Sequence, residues 1–307
     1  MSLPIDAELE AFNARVGAAI PRSADASASA RRARSEAIAR RFPFPADGVA
    51  RDDHWIAGAS HEIPVRLYRP RQGTLPALVY LHGGGWVSGS IGTHDGFCGA
   101  LARDAGIVVA SVHYRRAPEN PWPAPNDDAY AALAWLAGNA GLLDIDAKRI
   151  GIGGDSAGAH LAIGAALEAR DRGTPAVAWQ LLIYPVVEPD FDTPSYIRHA
   201  VTPTITRDDM REFWRAYLPD GGGDARAVPT RGSLEGVAPA HIVVAGHDPL
   251  HDEGLRFAEK LAAAGVRVTT ADAATLAHGF VRAAPFVAAA RDAVAAMAGA
   301  AAQALKS

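Results

Sequence analysis

One cysteine, Cys98, stands among 307 residues. A disulfide within the chain is therefore excluded, and a reducing compartment, the cytoplasm, is the expectation. Long apolar runs are also missing. None approaches the ~18 residues that cross a bilayer, so no membrane partner is expected. The opening stretch, MSLPIDAELEAFNARVG, carries acidic residues and no continuous apolar segment, and it does not read as a secretory signal. Nor does one sign of charge dominate. Thirty Lys and Arg face 34 Asp and Glu, a net charge of -4 that gives no reason to expect nucleic acid or anionic lipid as partner. RRARSEAIARR, residues 31–41, is a local exception. With no aromatic residues interleaved, it reads as an amphipathic helix with Ala33, Ala37 and Ile38 inward and its arginines solvated.

What is present is apolar material in short pieces. Hydrophobic residues make up 49% of the chain, ample for a large core. Residues 5–20 and 27–41 read as helices separated by Pro21 and a Ser/Ala stretch. Strand-like runs follow: HWIAG, IPVRLYRP and PALVYLHGGG, then 107–113, 149–153, 177–184, 240–245 and 266–270. Helical stretches near 94–105, 126–139, 157–171, 251–264 and 286–304 alternate with them. This alternation predicts an α/β fold with a mainly parallel central sheet covered by helices on both faces. Residues 188–223 break the pattern, with a helix near 206–218 and a triple glycine at 221–223 as an exit hinge. The expected division is 1–45 and 188–223 as two parts of a helical cap, with 46–187 and 224–307 as two parts of the core.

RIGIGGDSAGAHLAIG, residues 149–164, places Ser156 between Gly154-Asp155 and Ala157-Gly158, after a strand and before a helix. A serine at such a tight turn is exposed as a nucleophile, and only small neighbours let the backbone approach so closely. The Ala157 amide at the helix N-terminus can donate to a developing oxyanion. His82-Gly83-Gly84-Gly85-Trp86 closes another strand, and its consecutive glycines leave amides free to face one concavity. A phosphate loop would want Lys and Ser/Thr after the glycines, whereas Trp86 and Val87 follow. His82 fits a loop-fixing role better than that of a base.

An acid and a histidine must then follow Ser156 in that order. Asp248 ends the strand HIVVAG, and His278 lies in LAHGF thirty residues on. A carboxylate holding an imidazole, and the imidazole taking the serine proton, complete a catalytic triad. His160 lies one turn into the helix and reads as packed or hydrogen-bonded. Asp252 reads as a helix cap or dipole partner. Asp155 is expected to shape the elbow and its loop. A metal site at His247, Asp248 and His251 lacks both an HExxH arrangement and a clear third ligand.

HGGGW at 82–86, YRRAPENPWPAPNDD at 114–128, GDSAG at 154–158, DPLHDEG at 248–254 and HGF at 278–280 together resemble the hormone-sensitive-lipase-like carboxylesterases of the α/β-hydrolase fold. The resemblance implies Ser156 as nucleophile, Asp248 as acid and His278 as base. It also implies an oxyanion hole from the amides of Gly84, Gly85 and Ala157, with Gly83 shaping the loop. Departures at Ala159-His160, His247 and Leu276-Ala277 touch positions that line or support the pocket. The expected activity is hydrolysis of small, short-chain esters through an acyl-enzyme, with no metal or organic cofactor. Gly83, Trp86, Asp155, Phe213 and Trp214 are candidate substrate-binding residues, and Trp86, Phe213 and Trp214, like Tyr196 and Tyr217, are weighed between pocket and core. An aryl formamidase or other amidase, or a non-catalytic receptor on the same scaffold, are the alternatives, and the sequence leaves open a homodimer.

Overall fold

The computed structural model describes residues 3–23 and 25–306. Strands β1 (Ala50–Ala57) and β2 (Glu62–Arg69) form an antiparallel hairpin. They are followed by β3 (Leu75–Leu81), β4 (Val108–Val112), β5 (Ile145–Asp155), β6 (Gln180–Ile183), β7 (Ala240–His247) and β8 (Val268–Ala277). The eight strands form one sheet in the order β1-β2-β4-β3-β5-β6-β7-β8, and every pairing from β4 to β8 is parallel. β3 is buried along its whole length and shows why the sheet is covered on both sides. Leu75, Ala77, Val79 and Leu81 enter one apolar cluster, while Leu78 and Tyr80 enter the other, following the two-residue period of a strand.

The helices are α1 (Ala7–Ala19), α2 (Ala28–Arg41), α3 (Ile91–Ala105), α4 (Ala124–Gly138), α5 (Ala157–Arg172), α6 (Pro194–Arg198), α7 (Arg207–Tyr217), α8 (His251–Ala263) and α9 (Ala288–Lys306). Helices α4, α5 and α8 fill the first cluster, and α3 and α9 the second. No helix among the described residues is long and apolar enough to cross a membrane.

Strand β8 departs from the sequence expectation of 266–270 and runs on to Ala277. It is an edge strand, half-exposed along most of its length, so its segment TTADAATLA shows no buried apolar run. The five-residue helix α6 is also new. It is too short to show a helical period.

The expected orientation of the basic segment 31–41 is corrected. Ala33 is exposed, whereas Arg31, Arg32 and Arg34 are half-buried. Arg31 pairs with Asp209 and Glu212 on α7, and Arg32 donates to the carbonyls of Val87 and Ala117 and to Glu119. Arg22 also pairs with Asp209. The segments 1–45 and 188–223 thus meet through a carboxylate that serves in addition as the capping-box residue of α7 with Thr206.

Candidate active site

Strands β3, β5, β7 and β8 all end at the carboxyl edge of the sheet, where ligands bind in parallel α/β folds. Ser156 follows β5 with φ 55 and ψ -120, a strained conformation for a residue with a side chain. Its neighbours must be glycine. A Cβ on Gly158 would lie 1.9 Å from the Leu81 carbonyl oxygen, and one on Gly154 would lie 2.3 Å from the same atom.

The three groups predicted from far-apart stretches of chain converge here. His278 Nδ1 lies 2.7 Å from Asp248 Oδ2, and its Nε2 lies 3.0 Å from Ser156 Oγ. A carboxylate can only accept, so Nδ1 carries the proton and Nε2 is left to accept from the serine hydroxyl. Asp248 is fully buried, and its other oxygen accepts from the Leu250 amide at 2.8 Å. That second bond fixes the carboxylate plane, and nothing in the sequence pattern announced it. The Tyr184 ring packs 4.6 Å from the imidazole, centroid to centroid.

The loop after β3 faces this line of groups. Among the described residues, no turn or cap hydrogen bond uses the amides of Gly84, Gly85 or Ala157. Gly84 takes φ +129 and Gly85 φ +61, and a Cβ on Gly84 would lie 2.3 Å from the Ser88 carbonyl oxygen. Asp155 braces the loop from the other side. Its Oδ1 accepts from the Gly83 amide at 2.9 Å and from the Tyr80 hydroxyl at 2.7 Å. Burial opposes its ionisation, but the adjacent His94 and the Tyr80 hydrogen bond prevail and hold the carboxyl below the ordinary range. Burial, with the His94 and His113 rings nearby, pushes His82 far below its usual pKa. His82 is therefore neutral, and its Nδ1–H donates to the Gly83 carbonyl at 3.1 Å.

Ser156 and His278 open into a cavity of about 470 Å³, with Gly84, Gly85 and Phe213 in its lining. Trp86 and Trp214, expected as substrate contacts, do not line it. Trp86 is fully buried, stacked on Tyr217 at 4.3 Å and edge-on to Trp214 and His160. A large aromatic cluster at this position draws both rings into the core. Gly83 and Asp155 hold each other, which positions the loop; Asp155 also borders the catalytic cavity, whereas Gly83 does not line it. Tyr196 is fully buried as well.

His160 is packed, as its place on α5 indicated. Its Nε2 lies 2.9 Å from the Ala227 carbonyl, and its Nδ1 accepts from the Trp86 indole at 3.3 Å. Asp252 is not the cap of α8, whose N-cap is Leu250. It lies in the first turn and accepts from the Ser195 amide. His247 turns to the Leu3 carbonyl, and His251 to Asp252 and Asp272.

Comparison with known proteins identifies the fold and the family. The profile of the alpha/beta hydrolase fold matches residues 78–282. The chain is similar to carboxylesterase NlhH of Mycobacterium tuberculosis (strain ATCC 25618 / H37Rv), at 43% identity over 240 residues, 76% of this chain and 75% of that protein. It is similar to ethyl acetate hydrolase of Pseudomonas putida at 40% identity, covering 72% of each. Among solved structures, the hyperthermophilic esterase of Pyrobaculum calidifontis superposes with a TM-score of 0.90 at 36% identity, over 98% of this chain and 99% of that one.

Proposed function

Because the chain belongs to the hormone-sensitive-lipase-like carboxylesterases of the alpha/beta-hydrolase fold, we propose that it hydrolyses small carboxylic esters through a serine nucleophile. The observation that carries this reading is the unbroken line from Asp248 through His278 to Ser156, with spacings of 2.7 and 3.0 Å. Ser156 Oγ attacks the acyl carbon as its proton passes to His278 Nε2. The carbonyl π electrons move to oxygen, and the oxyanion is held by the amides of Gly84, Gly85 and Ala157. One such donor contributes ~3 kcal/mol to the transition state.

Collapse of the tetrahedral species breaks the acyl–oxygen bond, and His278 gives its proton to the departing alcohol. Water then attacks the acyl-enzyme, losing a proton to the same nitrogen, and the acid leaves with Ser156 restored. Asp248 stays ionised throughout and stabilises the transient imidazolium.

The same reading extends to a preference for short acyl chains. The cavity is bounded by Phe213 and by both cap segments, and the similarity to ethyl acetate hydrolase points the same way. Aryl esters from acetyl to hexanoyl are expected to turn over faster than emulsified long-chain triglycerides. Equal or greater activity on the long chains would refute that selectivity. Ser156→Ala is expected to lower kcat/KM on 4-nitrophenyl butyrate by roughly 10³-fold or more. A variant that keeps wild-type activity would refute the mechanism.

A further inference from the structure

A second cavity of about 500 Å³ adjoins the catalytic one. Both are bordered by Arg22, Arg34, Ile38, Thr204, His278 and Arg282. Three arginines thus meet at the wall nearest the imidazole, and no carboxylate lies in that shared wall. The lining of the catalytic cavity holds five carboxylates as well as four arginines, and three of those carboxylates are ion-paired with arginine. Asp209 takes Arg22 and Arg31, Glu212 takes Arg31, and Asp208 takes Arg211. The other two, Asp25 and Asp155, have no arginine partner: Asp25 accepts from Ser27, and Asp155 is held by Gly83, Tyr80 and the adjacent His94.

Arg34 and Arg282 are the remainder. Arg34 makes one long bond, from Nε to the Pro21 carbonyl at 3.4 Å, and no ion pair. Among the described residues no side chain hydrogen-bonds or ion-pairs with the Arg282 guanidinium, and its Nε is buried without an acceptor. Asp155 feels the charge of Arg282 through space but forms no ion pair with it. Burial, together with the Arg22 and Arg282 charges, draws Arg34 below its usual pKa, so the three guanidiniums act on one another.

Half-buried cations without a counter-ion carry a desolvation cost, and like charges held together add repulsion. A planar anion relieves both, because a guanidinium binds a carboxylate through two parallel hydrogen bonds. Since this pair borders the cavity that holds Ser156 and His278, such an anion would belong to the molecule being cleaved. We propose that Arg34 and Arg282 form an anion subsite that selects esters carrying a carboxylate within the same small molecule. This rests on the ester-hydrolase reading above and narrows it to a substrate class.

The test compares matched esters with wild-type enzyme and with R34Q/R282Q. One pair, monoethyl succinate against ethyl pentanoate, places the charge on the acyl side. The other, 2-acetoxypropanoate against sec-butyl acetate, places it on the alcohol side. At low salt, the anionic member of at least one pair is expected to have a kcat/KM about tenfold or more above its neutral partner. That ratio is expected to fall about tenfold in R34Q/R282Q, to recover in part in R34K/R282K, and to fall with rising ionic strength.

Neutral partners favoured in both pairs, or a ratio unmoved by the double substitution, would overturn the proposal. Should the double variant fail to fold, glutarate inhibition of wild-type hydrolysis of a neutral ester takes its place. Competitive inhibition that weakens with salt supports the subsite, and its absence overturns it. If no neutral or anionic ester is cleaved, the hydrolase reading itself fails. Calorimetry of glutarate binding to the wild-type protein then judges the subsite alone, salt-sensitive binding supporting it and no binding overturning it.

Discussion

His160 shows how one buried side chain can have its protonation state fixed by its neighbours. The Trp86 indole can only donate and the Ala227 carbonyl can only accept, so the imidazole between them must be neutral, with its proton on Nε2. A proton on Nδ1 would break the Trp86 bond and place an unpaired cation in the core. Burial accordingly lowers the His160 pKa to about 4, against an ordinary 6.5. The unfolded chain takes up its proton near 6.5, whereas the folded chain resists until about 4. This contribution to stability is therefore complete above pH 6.5 and is lost as the pH falls toward 4, by on the order of 3 kcal/mol. A His160→Gln variant, whose amide can accept from Trp86 and donate to Ala227, should show a correspondingly flatter decline. Urea unfolding at pH 7 and pH 5 checks this, and identical slopes for the two proteins would contradict it.

At the scale of elements, the glycine loop after β3 packs directly against Phe213 of α7. The Phe213 ring lies against Gly85 so closely that a Cβ there would come within 2.4 Å of it, and Arg31 stacks over the other part of this contact at 4.8 Å from the ring centroid. Gly85→Ala adds that clash to the strain of a φ of +61, and it should displace one amide donor. We expect kcat on 4-nitrophenyl butyrate to fall by about 10²-fold, as for loss of a single oxyanion donor. Adding Phe213→Ala should recover only part of this, because the backbone strain persists. Steady-state kinetics of the single and double variants measures both effects.

The same elements mark how far the sequence could be read. The loop glycines and the Ser156 turn are visible because their backbone demands exclude other residues, and the buried strands because their apolar runs are continuous. Trp86, Trp214 and the inward face of α2 were not legible. Whether an aromatic ring lines a pocket or fills a core, and which side of an arginine-rich helix is covered, depends on where a distant helix such as α7 lands. The Leu250 amide and the Tyr80 hydroxyl, which hold the acid and the loop, are equally invisible to spacing.

For the whole molecule, the sheet brings Ser156, Asp248 and His278 together, while two chain segments far apart in sequence line the cavity above them. Asp209 joins those segments by capping α7 and binding Arg22 and Arg31. Asp209→Ala should cost about 1–2 kcal/mol from the lost cap and partly exposed ion pairs. KM for butyrate esters should rise more than kcat falls; thermal unfolding checks the stability loss and steady-state kinetics on the same variant checks the split, an unchanged KM contradicting it. The central claim is that Ser156 is the group that attacks the substrate. Mass spectrometry after treatment with diethyl 4-nitrophenyl phosphate tests it most directly. The account predicts a single diethylphosphoryl adduct on the peptide containing Ser156, absent in Ser156→Ala and much slower to form in His278→Ala. Folded, ester-cleaving protein that carries no adduct, or carries it on another residue, would contradict it.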